Sequence, residues 1–241
     1  IAVPSTLVGV IQSRLDRLDE TSRQVVQTAS VIGREFSLDA LAAISELTGS
    51  LEGPLADLQR RELVREKSRL PQRVYIFKHV LTQEAAYASL LLSTRRVLHR
   101  RTAEYLERAS PESASEIARH FLEAREEVRA LPHLVQAGEH EAFTYSLKNA
   151  LTSFRKAVEI LESVRDVSLA RRAYEGVGGA LALSFDVPGA VDNFHKMIHV
   201  ADTYDNLPMK VSALNKLGRV TGFMRGQFPE AFEHLGEAER L

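Results

Sequence analysis

The 241-residue sequence contains no cysteine, so neither a disulfide nor a thiolate metal site can hold this fold. That absence suits a reducing compartment, and the expectation is a cytoplasmic protein. No apolar run approaches the roughly eighteen residues a membrane span needs, and no signal-peptide pattern opens the chain. Nowhere is a glycine followed by lysine. The Gly-rich loop ending in Gly-Lys-Ser/Thr is therefore missing, and this stretch cannot cradle ATP by that device. An excess of charge is missing too. The 31 Lys and Arg against 32 Asp and Glu leave a formal net charge of −1, giving no global pull toward nucleic acid or an anionic membrane. No Ser-His-Asp or paired-carboxylate arrangement stands out, so no catalytic residue is assigned. Gly176, Gly178 and Gly179 lie within a helical pattern without a preceding strand, which excludes a dinucleotide loop.

What the sequence does contain is a repeat. Gly138, Gly178 and Gly218 recur evenly, each preceded four residues earlier by Leu134, Tyr174 or Leu214 and immediately by Ala137, Val177 or Leu217. A second series follows each glycine: Ala150, Phe154, Ala157; Ala190, Phe194, Met197; Ala231, Leu235, Ala238. Steps of three and four place each series on one helix face. A period of about 40 residues reads as stacked helical hairpins, because one hairpin alone cannot bury its apolar face. A small residue lets the neighbouring backbone approach, and the large residue beside it fills the gap.

These residues resemble the tetratricopeptide repeat, whose first helix carries a large residue and then a small pair, and whose second carries Ala, aromatic, Ala. The period here exceeds the usual 34 or so. Tyr145 and Phe185 stand where the family prefers a turn glycine, a place Gly226 fills in the third copy. By that resemblance Arg172, Glu175, Asn215 and Arg219 lie at first-helix positions lining the inner curve and are expected to contact a protein or peptide partner.

Ahead of the repeats, Pro4 and Ser5 precede an apolar stripe of Leu7, Val10, Ile11, Leu15 and Leu18, a capped helix. Thr21 with Gln24 forms a capping-box pattern before Val25, Val26, Ala29 and Ile32, and Gly33 ends that run. Ser37 caps a short helix carrying Leu38, Leu41 and Ala42, closed by Gly49. Gly53 and Pro54 open another from Leu55 to Leu63. Leu63–Val64 and Val74–Phe77 then read as two short strands joined near Pro71. Three helices followed by a hairpin make a winged helix. Such a module binds DNA through its third helix, but Asp57 and Glu62 beside Arg60 and Arg61 give that helix a mixed surface. The hairpin is basic around Arg65, Lys67 and Arg69, which serves a nucleic-acid contact or, equally, an edge protected from strand pairing.

Pro4 to Leu18, Ala29 to Phe36 and Phe77 to Tyr87 (Phe-Lys-His-Val-Leu-Thr-Gln-Glu-Ala-Ala-Tyr) together resemble bacterial STAND-type signalling ATPases. The likeness is to the region after the ATPase core, particularly in proteins fused to class III nucleotide cyclase or LuxR-type DNA-binding domains. The resemblance implies a winged helix that holds an upstream nucleotide-binding core in its ADP-bound state, with ADP or ATP and magnesium bound upstream and no cofactor here. Relatives carry a Met-His-Asp motif whose histidine reaches the β-phosphate. Lys78-His79-Val80 occupies that place, which makes His79 the nucleotide-sensing residue. The alternative for His79 is a helix-capping or interdomain histidine packed under Phe77.

Between the two parts, Thr82 to Leu92 forms a helix with Ala85, Ala86, Ser89 and Leu90 inward. Ser93 caps a second, turning Leu98, Thr102, Tyr105 and Leu106 inward and Arg95, Arg96, Arg100 and Arg101 outward. Glu104 and Glu107 interrupt that arginine cluster, so a solvated face competes with an acidic or nucleic-acid partner. Pro111 breaks the chain, and Ser113 with Glu116 restarts it. His195 and His199 stand one turn apart, but with no third ligand in sequence no metal site is assigned. His120, His133 and His140 fall on different faces.

The expectation is a mainly α chain: a winged-helix domain with a small β-hairpin (1–80), a helical connector (81–110) and an α-solenoid of tetratricopeptide-like hairpins (111–241). Opening at Ile1 inside a helix lead-in, it reads as an internal piece of a longer polypeptide. The expected role is regulation and protein interaction within a signalling ATPase, without enzymatic activity of its own. The alternative is a DNA-binding regulator whose repeats dimerise or sense a signal.

Overall fold

A computed structural model of the chain describes residues 5–47 and 49–241, with the backbone alone for 5–8. Two compact units result, Ile1–Glu112 with Arg119–Glu126, and Ser113–Ala118 with Glu127–Leu241. The described residues are mainly helical, with one three-stranded sheet.

In the first unit the chain runs α1 (Ser5–Asp16), α2 (Glu20–Ile32), β1 (Glu35–Ser37), α3 (Leu38–Ile44), α4 (Glu52–Arg60), β2 (Val64–Ser68), β3 (Val74–Phe77), α5 (Val80–Ala88) and α6 (Leu92–Ala109). The Pro4 cap lies outside the described residues. On α1, Ile11 and Leu15 are buried, and so is Leu18 just beyond it, whereas Val10 is 58% exposed. The cap of α2 is Asp19, not Thr21: the Ser22 N–H donates to Asp19 Oδ1 at 3.0 Å. An Asp two residues earlier meets the same orphan amides, and the helix begins there. Gly33 ends α2, and Ser37 caps α3 by accepting from the Ala40 N–H at 3.1 Å. Ile44 rather than Ala42 completes the buried face of α3.

Helix α4 stops at Arg60, ahead of Leu63. Glu62 takes a left-handed φ of 57°, and the Leu63 N–H donates back to the Leu58 carbonyl at 3.0 Å, the closure that frees the chain to start β2. The sheet is antiparallel in the order β1-β3-β2, with Glu35 opposite Ile76 and Val64 opposite Phe77. Phe36 stacks on Tyr75 at 5.9 Å and meets Phe77 at 5.7 Å. With Val25, Val26, Leu41, Leu55 and Leu58 these rings form one buried cluster. Helix α5 ends at Ala88. Helix α6 starts from Leu91 with no side-chain cap, so Ser93 lies inside it.

Helix α7 (Ala114–Glu123) contributes residues to both units. The second unit continues with α8 (Glu127–Phe143), α9 (Leu147–Leu161), α10 (Val167–Leu183), α11 (Val187–Thr203), α12 (Leu207–Arg219), a π-helical turn (Val220–Met224) and α13 (Phe228–Arg240). From α8 to α13 each helix packs on the next, and α10 also packs on α8. The glycine series explains the closeness. A methyl placed on Gly138 would lie 2.8 Å from the Phe154 ring, on Gly178 2.3 Å from Phe194, and on Gly218 2.8 Å from Leu235. Phe154 also fills the space at Gly176, 2.3 Å from a methyl there, so this ring joins one hairpin to the next.

Candidate functional site

One form of helix closure recurs along the chain. Arg125, Tyr145, Phe185 and Asp205 all adopt left-handed φ between 51° and 63°. The residue after each donates five residues back: Glu126 to Phe121, Ser146 to Glu141, Asp186 to Leu181 and Asn206 to Ala201, at 2.8–3.0 Å. Such closures favour glycine, and an L side chain there costs on the order of 1 kcal/mol. Yet Tyr145 is 80% and Phe185 84% exposed, beside Phe143 and Leu183, also exposed. An aromatic ring that is strained in backbone and unburied adds nothing to the fold.

The four residues expected to meet a partner behave differently from one another. Arg172 is tied to the preceding hairpin: its Nε and a terminal nitrogen donate to the Glu139 carboxylate at 2.8 and 2.7 Å. Glu175, on α10, accepts from Arg171 Nε at 2.9 Å and from Ser212 Oγ of α12 at 2.5 Å, with Lys216 Nζ 3.7 Å away. Burial by itself would raise the Glu175 carboxyl. The Ser212 hydroxyl, Arg171 and Lys216 outweigh it and hold the group below its usual range. Asn215 is exposed. Arg219 is exposed and makes no ion pair or hydrogen bond with any described side chain, unlike its neighbours Arg171, Arg172 and Lys216. The structure brings Glu175 and Arg219 to one cleft of about 420 Å³, lined also by Gly178, Gly179, Ala182, Phe194, Lys216, Val220, Phe223 and Met224. Arg172 and Asn215 lie outside its lining.

His79 occupies the cap position of α5 with extended backbone and no side-chain cap bond. It is exposed, so it does not pack beneath Phe77, and it caps the helix only through its carbonyl, which accepts from the Thr82 N–H at 3.0 Å. Nearby, the Glu62 carboxyl is held low first by Lys78 and then by Arg14 and His79. Of the connector arginines, Arg95 lies 4.6 Å over the Tyr87 ring, Arg101 pairs with Glu46 at 2.6 Å and Arg100 approaches Glu126 at 3.7 Å. Among the described residues no group of three or more His, Asp and Glu could hold a metal, and no helix is long and apolar enough to cross a membrane. His195 faces His234 rather than a ligand set, ring to ring at 6.1 Å.

Sequence reasoning missed one cluster. His99 and His120, 2% and 1% exposed, meet at 2.8 Å, flanked by Tyr87 and Arg119. They are 21 residues apart on different helices, so no helical spacing could pair them.

No protein-family model matches the chain, and no curated protein does. Among solved structures it is similar to the Signal Transduction ATPase with Numerous Domains (STAND) protein with a tetratricopeptide repeat sensor from Pyrococcus horikoshii, with 10% identity and a TM-score of 0.41. That likeness covers 100% of this chain and 47% of the other, so the chain spans about half of that protein's length.

Proposed function

We propose that this chain is a regulatory and protein-interaction segment of a multidomain signalling ATPase. Its first unit restrains a nucleotide-binding core outside these residues, and its tetratricopeptide-like array receives a protein or peptide partner. The observation that carries the reading is the repeated placement of unburied apolar side chains at hairpin ends, Phe143 and Tyr145, then Leu183 and Phe185. Exposed rings in costly backbone have a use only when something covers them.

The first unit supports the restraining role over DNA binding. Its order of helix, strand, two helices and two strands, from α2 to β3, fits a winged helix. Six of its surface cations are already engaged, Arg60 and Arg61 on Asp57, Lys67 on Glu35, Arg69 on Glu66, Arg73 on Glu52 and Lys78 on Glu62, at 2.5–3.1 Å, although Arg65 on β2 is exposed. Phosphate binding would have to break those pairs. His79 is open to solvent at a helix N-terminus, where anions are favoured, and its imidazole can donate to a phosphate oxygen of bound ADP. Magnesium and nucleotide would be held by the core, in the cytoplasm, with no membrane involved. Partner binding then acts as a population shift, favouring the released form by the difference in affinity for the two states.

The test is ADP release from the full-length protein, followed with a fluorescent ADP analogue. His79→Ala should accelerate release without unfolding the chain. Unchanged release from a folded variant removes His79 from the nucleotide contact, and a full-length protein that binds no ADP overturns the reading.

A further inference from the structure

The repeat is not quite regular, and the irregularity has a location. From the first to the second copy every landmark advances by 40: Gly138 to Gly178, Tyr145 to Phe185, Ala150 to Ala190, Phe154 to Phe194. From the second to the third, Gly178 to Gly218 is again 40, but Phe185 to Gly226, Ala190 to Ala231 and Phe194 to Leu235 are each 41. One residue has therefore entered between Gly218 and Gly226. The π-helical turn Val220–Met224 sits in that interval, and a π turn is the geometry that absorbs one extra residue in a helix. Its consequence is visible at the surface. Phe223 is 85% exposed and Met224 38%, and both line the cleft that Gly178, Gly179 and Ala182 floor from α10.

Resting on the partner-binding reading above, we propose that this inserted residue builds a docking cleft for an acidic peptide segment. One large apolar side chain of the peptide enters between Gly179 and Phe223, and a carboxylate one helical turn away pairs with Arg219. Charge decides the sign of the partner. The cleft's carboxylate, Glu175, is already engaged by Arg171, Ser212 and Lys216, leaving the Arg219 charge uncompensated at the rim. Arg219 is not spent on a helix end, because the backbone continues through Val220–Met224 for another turn. The floor is open where it must be: a methyl on Gly179 meets nothing within 4 Å, whereas one on Gly178 strikes Phe194 at 2.3 Å. Glycine at 178 serves internal packing, and at 179 it leaves room above the helix. A cleft of about 420 Å³ lies within the size range of ligand sites.

Fluorescence anisotropy with the 241-residue chain and three labelled helical peptides tests this. All carry Phe and Leu on one face, and the other face carries Glu, Lys or Ser. The Glu peptide should bind at least ~10-fold more tightly than the Lys peptide, Arg219→Glu should reverse that order, and raising the salt should narrow it. Gly179→Leu, which fills the cleft, and deletion of Phe223, which restores the 40-residue period, should each weaken the Glu peptide by ~10-fold or more while helical circular dichroism is kept. Equal affinity for the Glu and Lys peptides, or Glu-peptide binding indifferent to Arg219→Glu and Gly179→Leu, overturns the cleft. So does an absence of Glu-peptide binding at about 1 mM. None of these outcomes touches the ADP-release response, by which the broader reading is judged separately.

Discussion

The imidazoles of His99 and His120 meet Nδ1 to Nδ1 at 2.8 Å with both rings out of water. Their surroundings fix where every proton sits. Arg119 can only donate, and its guanidinium lies 2.8 Å from His120 Nε2, so that nitrogen accepts and His120 carries its proton on Nδ1. His99 Nδ1 must then accept, which puts its proton on Nε2, where it donates to the Tyr87 hydroxyl oxygen 3.0 Å away. Both histidines are neutral, and protonating either would set two N–H groups against each other.

Acid should therefore destabilise the first unit earlier than its carboxylates alone would. Burial, then Arg119 and Arg95, push His99 down to about 4, and burial, then Arg119 and His99, push His120 to about 2. In the unfolded chain both titrate near 6.5. The folded-state values are the lower ones, so the stabilisation is complete above about pH 6.5 and is lost as pH falls toward 4. Two protons taken up only on unfolding give a slope of up to about 2.7 kcal/mol per pH unit. Urea unfolding at pH 7, 6 and 5 measures it. The double variant His99→Phe with His120→Leu should flatten the profile in that window, and an equally steep variant would show that other groups set it.

Adjacent glycines on α10 should respond oppositely to one methyl group. Gly178→Ala drives Cβ to 2.3 Å from Phe194 and 2.8 Å from Asn193 Nδ2, and that amide already donates to the buried Tyr174 carbonyl at 2.8 Å. Overpacking costs about 1–3 kcal/mol, more than the helix propensity that alanine restores. Gly179→Ala meets nothing and should stabilise by about 0.5–1 kcal/mol. Denaturant midpoints of the two variants should fall on opposite sides of the parent, and a stable Gly178→Ala would refute the account of ring-on-glycine packing.

The hairpin array was readable because the packing of a large side chain on glycine is local in sequence and repeats: Gly138 and Phe154 are 16 residues apart, Gly178 and Phe194 repeat that spacing, and Gly218 with Leu235 follows at 17. Strand β1 was not, since Glu35–Ser37 is three residues long, sits against a helix cap and gains its identity only from Val74–Ile76 on another segment. The site divided in the same way. Glu175 and Arg219 follow from the repeat register, whereas the employment of Arg172 by Glu139 and the pairing of His99 with His120 depend on neighbours that no periodicity brings together. The single-residue change in period was present in the numbering all along. It acquired meaning only once the π turn showed where the extra residue is held.

Phe185 offers the last test, because its contribution to folding and its contribution to binding should have opposite signs. Its backbone is left-handed at φ 61° and its side chain 84% exposed, so the ring pays strain without recovering burial. Asparagine tolerates that conformation far better and loses no packing. Phe185→Asn should raise stability by roughly 0.5 kcal/mol, seen as a higher urea midpoint with an unchanged slope. Tyr145→Asn should act alike, since φ is 57° there and exposure is 80%. If the rings exist for a partner, the same variants lose partner-stimulated ADP release in the full-length protein while basal release is kept. A fall in stability would instead mean that the rings pack against something in the folded chain, and their exposure would no longer speak for an interface.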